Sequence, residues 1–324
     1  MSSCYFSVVM PCYNSVQWLA RALKSLEEQT FKNFEVICVD DCSSDGTYEY
    51  LENYKANSIL KICLLQNEQN CGPGLSRNRA LEEACGEYVT FLDSDDWYEF
   101  DYLNEVYNKL QNTQADIIFS DFYRDFDIGK RRVINWTSVF SEKSIKNDYI
   151  ALCYDSLCVM AIRKRLFDEI NLPMLYNAED TAMCPLLVAR ALNVTYISKP
   201  LYHYLCRSKS LSTRIDERVY QSFDLAYQFL VKNISASYHD ELVFRGVRMI
   251  MYGVVYNAIR AGVPTEKFEY IVREFQNRNP DYLTNPYIKT LPIRKRFFIW
   301  CVAKKWYRII AYYCWLQNLL LRIN

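Results

Sequence analysis

Three carboxylates crowd into four residues where an apolar run ends: YVTFLDSDDW, residues 88–97, closes on Asp93, Asp95 and Asp96. Like charges this close repel, and burying them is costly unless a cation or a polyhydroxy ligand compensates. Asp93 and Asp95, one residue apart on a strand-end turn, can share a hard divalent cation, or divide between a cation and a sugar hydroxyl. Mg2+ or Mn2+ usually takes one or two carboxylates and fills its shell with substrate phosphates, which suits a diphosphate-bearing ligand. The plainer alternative is a solvated turn capping a helix after Trp97.

Two further acidic stretches could do chemistry. In CVDDCSSDGT, residues 38–47, Asp40 and Asp41 directly follow an apolar run, while Asp45-Gly46 reads as a turn with a helix cap at Ser44 or Asp45. In NAEDTAM, residues 177–183, Glu179 and Asp180 stand where a helix should begin. Such a pair either caps the helix dipole or offers a base for proton abstraction. Gly72-Pro73-Gly74 suggests a phosphate loop, but a dinucleotide fingerprint would need a third glycine where Arg77 stands, so a Rossmann dehydrogenase is excluded.

Regular elements must carry these loops. Phe6–Met10, Phe34–Val39, Leu60–Leu65, Tyr88–Leu92 and Ala115–Ser120 read as strands, alternating with helical patterns over 16–28, 47–54, 75–84 and 102–110. Strands apolar on both faces and alternating with helices predict an α/β domain with a mainly parallel sheet covered on both sides. The polar clusters fall after the strands, and ligands of open α/β sheets bind beyond the strands' carboxyl ends, so these loops should outline one crevice. Shorter strands are expected at 159–162, 194–197 and 201–205, a helix at 180–190, and helices from about 217 onward.

Composition sets bounds on the rest. The chain has 38 basic and 38 acidic residues, so no bulk charge points to nucleic acid. Thirteen cysteines, scattered and often inside apolar runs, suit a reducing cytoplasm better than a disulfide framework. Zinc is unfavoured by the absence of a C-x-x-C pair and by only two histidines. MSSCYFSVVM does not read as a signal peptide, and no run of about 18 apolar residues predicts a spanning helix.

SVVMPCYNSVQWL, VDDCSSDGT, NCGPGLSRNRALEEACGEYVTFLDSDDW and NAEDTAM, in this order, resemble the inverting, nucleotide-sugar-dependent glycosyltransferases of family 2, with the GT-A fold. The resemblance covers about the first 210 residues; Cys42, where glycine is frequent, and Arg79, where a small residue is usual, are its mild departures. It implies a GT-A catalytic domain over 1–215, with nucleotide-sugar binding in 1–120 and the acceptor and base region in 121–215, and a helical C-terminal region over 216–324. The implied reaction transfers a sugar from a UDP-sugar to a glycan or lipid-linked glycan acceptor in surface polysaccharide synthesis. Pro11, Tyr13 and Asp41 would hold the base, Asp93 and Ser94 the ribose side, and Asp95 the Mn2+ or Mg2+ ion. His203 is implied as a further metal ligand and Arg207 as a diphosphate contact, with Arg77 and Asn78 shaping the donor site. Asp180 is implied as the base, with Glu179 as its neighbour. Two rivals are a nucleotidyltransferase, which should carry a basic glycine-rich loop after its first strand, and a non-catalytic sugar-nucleotide-binding module, which would need no base.

The final hundred residues carry no such pattern. On one helical wheel Phe298, Val302, Trp306, Ile309, Tyr313, Leu316 and Leu320 share a face, with Lys304, Lys305, Arg308 and Arg322 on the other side. Two readings stay open: docking on the anionic inner face of the cell membrane, as a peripheral cytoplasmic protein, or packing on the protein's own core or a partner helix.

Overall fold

The computed structural model describes residues 4–126, 129–207 and 215–323, with side chains up to Leu316. It divides into two compact units, one of residues up to 174 together with 187–208, the other of 175–186 and 209 onward.

The first unit opens with β1 (Phe6–Cys12), α1 (Val16–Glu27), β2 (Phe34–Asp40), α2 (Thr47–Asn57), β3 (Ile62–Gln66), α3 (Pro73–Glu83) and β4 (Tyr88–Phe91). β5 (Trp97–Tyr98), α4 (Tyr102–Thr113), β6 (Ile117–Phe126), β7 (Arg131–Ile134), α5 (Lys146–Leu152) and β8 (Met160–Arg163) follow. α6 (Glu179–Arg190) leads into β9 (Val194–Cys206). One sheet holds all nine strands in the order β3-β2-β1-β4-β8-β6-β9-β5, with β7 on β6.

The parallel sheet expected from the alternation holds for β3-β2-β1-β4. Beyond β4 the sheet is mixed: β8 runs antiparallel to both β4 and β6, β9 is parallel to β6, and β5 is antiparallel to β9. Val8, Val9 and Met10 of β1 and Val36, Ile37 and Cys38 of β2 are fully buried. Both faces of these strands are therefore covered, which is why their sequences run apolar without alternation. α1 lays Leu19, Ala22, Leu23 and Leu26 against the sheet at helical spacing. The two short strands expected at 194–197 and 201–205 form one continuous strand whose register against β6 shifts at Ser120 and Asp121.

In the second unit the chain continues with α7 (Glu217–Asn233), α8 (His239–Gly246), a π-helical stretch (Val247–Val254), α9 (Val255–Arg260), α10 (Thr265–Arg278), α11 (Ile293–Ala303) and α12 (Tyr307–Ile323). The segment Ala236–Arg260 is, among the described residues, long and apolar enough to span a bilayer, but 72% of its apolar window is buried. It is the core helix of this unit. Gly246 and Gly253 permit the packing: a Cβ on either would collide with Phe275 and Tyr227, or with Phe223.

The single C-terminal stripe is corrected. Lys305 takes a left-handed conformation (φ 57°), and the helix breaks between Ala303 and Tyr307. Phe298 and Val302 point into the unit's core, Phe298 meeting the rings of Tyr252 and Tyr313, whereas Trp306, Ile309 and Leu316 are exposed. Leu320 lies outside the described side chains.

Candidate active site

Parallel pairing brings three loops to the carboxyl ends of neighbouring strands. Cys12 is in register with Asp40, and Val9 with Phe91. The backbone N–H of Asp41 donates to the Cys12 carbonyl at 2.8 Å, and that of Leu92 to the Val9 carbonyl at 3.0 Å. The loops after β1, β2 and β4 are thus tied edge to edge at one end of the sheet.

In the β4 loop the three carboxylates have three different fates. Asp93 is one-third exposed and accepts from the buried guanidinium of Arg77 at 2.9 Å. Asp95 accepts from Arg207 through Nε at 2.6 Å, and Arg207 lies 4.0 Å above the Trp18 ring. Burial pushes the Asp95 carboxyl above its usual value and the nearby Asp93 adds to this, with Arg207 opposing. Asp96 is buried; it accepts from the Tyr202 hydroxyl at 2.5 Å and from the Leu205 N–H at 2.7 Å. Burial and the charges of Asp95 and Asp93 raise its carboxyl well above the ordinary range. Asp96 therefore anchors the turn to β9, while Asp93 and Asp95 pair with Arg77 and Arg207. The chain after Trp97 is β5, not a capped helix, so the helix-cap alternative for this cluster fails. Ser94 is buried within the same turn.

In the β2 loop Asp41 is buried and gathers Asn67 Nδ2 (2.7 Å), Cys71 N (2.9 Å) and Gly72 N (2.7 Å). Gly72 has φ 84°, a conformation disfavoured for L side chains, and Pro73 follows at the first position of α3. Gly72-Pro73 therefore turns the chain onto Asp41. Asp45 accepts from Val16 N (3.2 Å) and Thr47 N (3.1 Å), so one carboxylate satisfies the starts of α1 and α2 together. In the β1 loop Pro11 is half-buried within the strand, and Tyr13 is exposed at the mouth.

Two expected site residues do other work. Asn78 donates to the Leu172 carbonyl at 3.0 Å and accepts from the Leu172 N–H at 2.8 Å, pinning α3 to that loop. His203 is buried, stacked between Trp97 and Tyr123, with Nε2 3.0 Å from Glu99 and Nδ1 2.9 Å from Asp125. Both ring nitrogens face carboxylates, which leaves neither for a cation; the expected metal-ligand role does not fit this geometry.

Asn67 was not anticipated. It bridges Asp41, Ser76 (3.1 Å) and Arg79 (2.8 Å) just beyond β3, where the rule that placed the other loops could have found it. At the opposite ends of the strands Cys4, Glu35 and Cys85 cluster. Lys61 lies 3.3 Å from Glu35 and 3.4 Å from the Cys4 sulfur, so the chain supplies that cluster's positive charge itself.

In the second unit Glu179 and Asp180 open α6 after Ala178, whose φ is 70°. Glu179 is buried and Asp180 half-buried, so Asp180 is the more accessible of the two.

Comparison with known proteins places this geometry. Residues 7–171 match the model of glycosyl transferase family 2. Glycosyltransferase GlyA of Streptococcus pneumoniae is 29% identical over 221 residues, 64% of this chain and 31% of that protein. The poly(ribitol-phosphate) beta-N-acetylglucosaminyltransferase TarS of Staphylococcus aureus is 39% identical over 115 residues, 35% of this chain and 20% of that protein. The matches thus span a third or less of these relatives' own lengths. The crystal structure of S. aureus TarS 1–349 in complex with UDP-GlcNAc superposes with a TM-score of 0.74 at 23% identity, covering 97% of this chain and 92% of that one.

Proposed function

The chain belongs to glycosyl transferase family 2, and on that premise we propose that it transfers a sugar, with inversion, from a UDP-sugar to a glycan or lipid-linked glycan acceptor in surface polysaccharide synthesis. The observation that carries this reading is that the loops bearing Tyr13, Asp41, Asp93 and Asp95 are tied side by side at the carboxyl ends of β1, β2 and β4. TarS, with UDP-GlcNAc in its structure, supports a uridine diphosphate donor. The loop after β1 carries Tyr13 and Asn14 and no cation, which speaks against the nucleotidyltransferase alternative.

Each residue then takes a role its geometry permits. Tyr13 offers a ring face to the uracil, Pro11 shapes the edge of its pocket, and Asp41 keeps acceptor capacity on Oδ2 for the imide N–H. Arg77 holds Asp93 toward the ribose, with Ser94 in the same turn. Asp95, with Asp93 beside it, would hold Mn2+ or Mg2+: these are hard oxygen donors, and Asp95 already attracts a cation, the Arg207 guanidinium. Such an ion offsets the charge that develops on the departing diphosphate. Arg207, so close to this carboxylate, is the side chain that follows the diphosphate. Asp180 takes the proton from the acceptor hydroxyl as that oxygen attacks the anomeric carbon, and Glu179 supports it.

Calorimetry and turnover test the reading together. UDP should bind in the presence of Mn2+ and fail to bind with chelator or in Asp95→Ala. Asp180→Asn should keep donor binding and lose transfer by on the order of a hundredfold or more. An Asp180→Asn protein with near-normal turnover would overturn the base assignment, and UDP binding indifferent to chelator would overturn the metal role.

A further inference from the structure

The break in the C-terminal helix creates a surface that no single helical wheel describes. On α11, Ile293, Phe297 and Trp300 recur at i, i+4 and i+7 and face outward, while Phe298, Ile299, Cys301 and Val302 fill the core. Trp306, in the break, meets Trp300 edge-on with ring centroids 4.8 Å apart. On α12, Ile309, Tyr312 and Leu316 continue outward at i, i+3 and i+7, and Trp315 stacks on Tyr312 at 5.7 Å. These side chains are between 39% and 73% exposed. Aromatic residues bury on the order of 150–250 Å² each, so the combined apolar area exceeds what a soluble surface ordinarily leaves facing water.

The charge carried by this segment has one sign. From residue 282 to the end the chain has no Asp or Glu and eight Lys or Arg. Lys305 is committed to Glu269 at 2.7 Å, and Lys295 lies over the Tyr252 ring at 4.9 Å. Arg294, Arg296, Lys304 and Arg308 are exposed alongside the apolar ridge.

We propose that this face docks on an anionic lipid surface, with Phe297, Trp300, Trp306 and Trp315 entering the headgroup layer and Arg294, Arg296, Lys304 and Arg308 bound to lipid phosphates. Tryptophan and tyrosine favour that layer because one end of the ring is apolar and the other polar. A second copy of the chain is the poorer occupant. A two-fold contact through this face would set one all-basic segment against another, and like charges repel. Docking of this kind does not depend on the catalytic reading.

The test uses the full chain and no donor or acceptor. Flotation with phosphatidylcholine vesicles containing phosphatidylglycerol should carry the protein upward, high salt should release it, and pure phosphatidylcholine should not hold it. Tryptophan emission should shift to the blue on addition of the anionic vesicles. Combined Arg294→Gln and Lys304→Gln should weaken partition by on the order of tenfold. Trp300→Ser with Trp315→Ser should weaken partition at low salt by on the order of tenfold and remove the blue shift, and both pairs should melt as the unaltered protein does because the altered side chains are exposed. Protein that melts normally yet stays at the bottom of the gradient with anionic vesicles overturns the proposal. So does a dimer in light scattering that the tryptophan substitutions convert to monomer without any vesicle binding, which would make the face a contact between copies.

Discussion

The Arg207 guanidinium is bonded to one carboxylate oxygen of Asp95, through Nε at 2.6 Å and through its terminal nitrogen at 2.5 Å. Trp18 holds the guanidinium from the other side, its ring centroid 4.0 Å away. A chain cation thus sits where a metal would be drawn, on a carboxyl that burial has made reluctant to ionise.

Removing Arg207 should therefore have two effects of opposite sign. Arg207→Gln should bind Mn2+ alone more tightly, because a competing cation is gone. It should bind UDP in the presence of Mn2+ more weakly, because a diphosphate partner is gone. Each change should be roughly 1 kcal/mol, the scale of a partly exposed ion pair. Titration calorimetry with Mn2+, and then with UDP at saturating Mn2+, reads the two separately. Changes of the same sign would refute the exchange.

Asp41 and Asp93 should differ in their effect on metal dependence. Asp41 accepts three N–H groups from a buried position, and Asp41→Asn would turn a donor toward one of them, costing about 2–3 kcal/mol. Asp93 is one-third exposed, and Asp93→Asn should cost about 1–3 kcal/mol, because the buried Arg77 guanidinium loses this countercharge, while sharply reducing metal-dependent UDP binding. Thermal melts and calorimetry on the two variants check this.

The first 120 residues were legible because local and global signals agree there: covered parallel strands run apolar, and each ends on a polar loop. β5 was missed because two residues carry no periodicity, and it exists only through pairing of Trp97 and Tyr98 with β9. Position was legible for a side chain on a loop that directly follows a strand, as for Asp93 and Asp95 after β4. It was not legible where position depends on a distant partner. Nothing local tells that His203 meets Glu99 and Asp125, more than seventy residues away in sequence, or that Asn78 reaches Leu172. The C-terminal wheel failed for a backbone reason: the positive φ at Lys305 resets the helical phase.

His203 should behave as a packing residue. His203→Phe keeps a ring between Trp97 and Tyr123 but strips Glu99 and Asp125 of a shared partner, costing about 2–4 kcal/mol. Mn2+ affinity per folded molecule should stay within about twofold, whereas loss of a true ligand would cost tenfold or more. Calorimetry at a temperature where the variant is folded distinguishes the two.

Asp116 ties together the ends of β6, β8 and β9 and gives the fold a specific acid sensitivity. It accepts from the Leu192 N–H at 2.7 Å and Arg165 at 2.6 Å, with Arg163 Nε 3.0 Å away. Burial alone would raise its carboxyl, but the Leu192 N–H and the Arg165 guanidinium outweigh burial and hold it below the usual 3.8. The folded form therefore releases this proton more readily than the unfolded chain does. Across the window between the depressed value and 3.8 the unfolded chain binds more protons, so stability rises with pH there. The contribution is fully present above the unfolded value and is lost as pH falls through the folded one. Asp116→Asn should cost about 2–3 kcal/mol at neutral pH, because Arg165 loses its charge partner and Arg163 is left with Glu87 alone. The difference from the unaltered protein should narrow steadily as pH falls below about 4. Urea unfolding followed at neutral pH and at several acid values gives this gap directly. A gap that stays constant into the acid range would show that Asp116 contributes through packing and not through its charge.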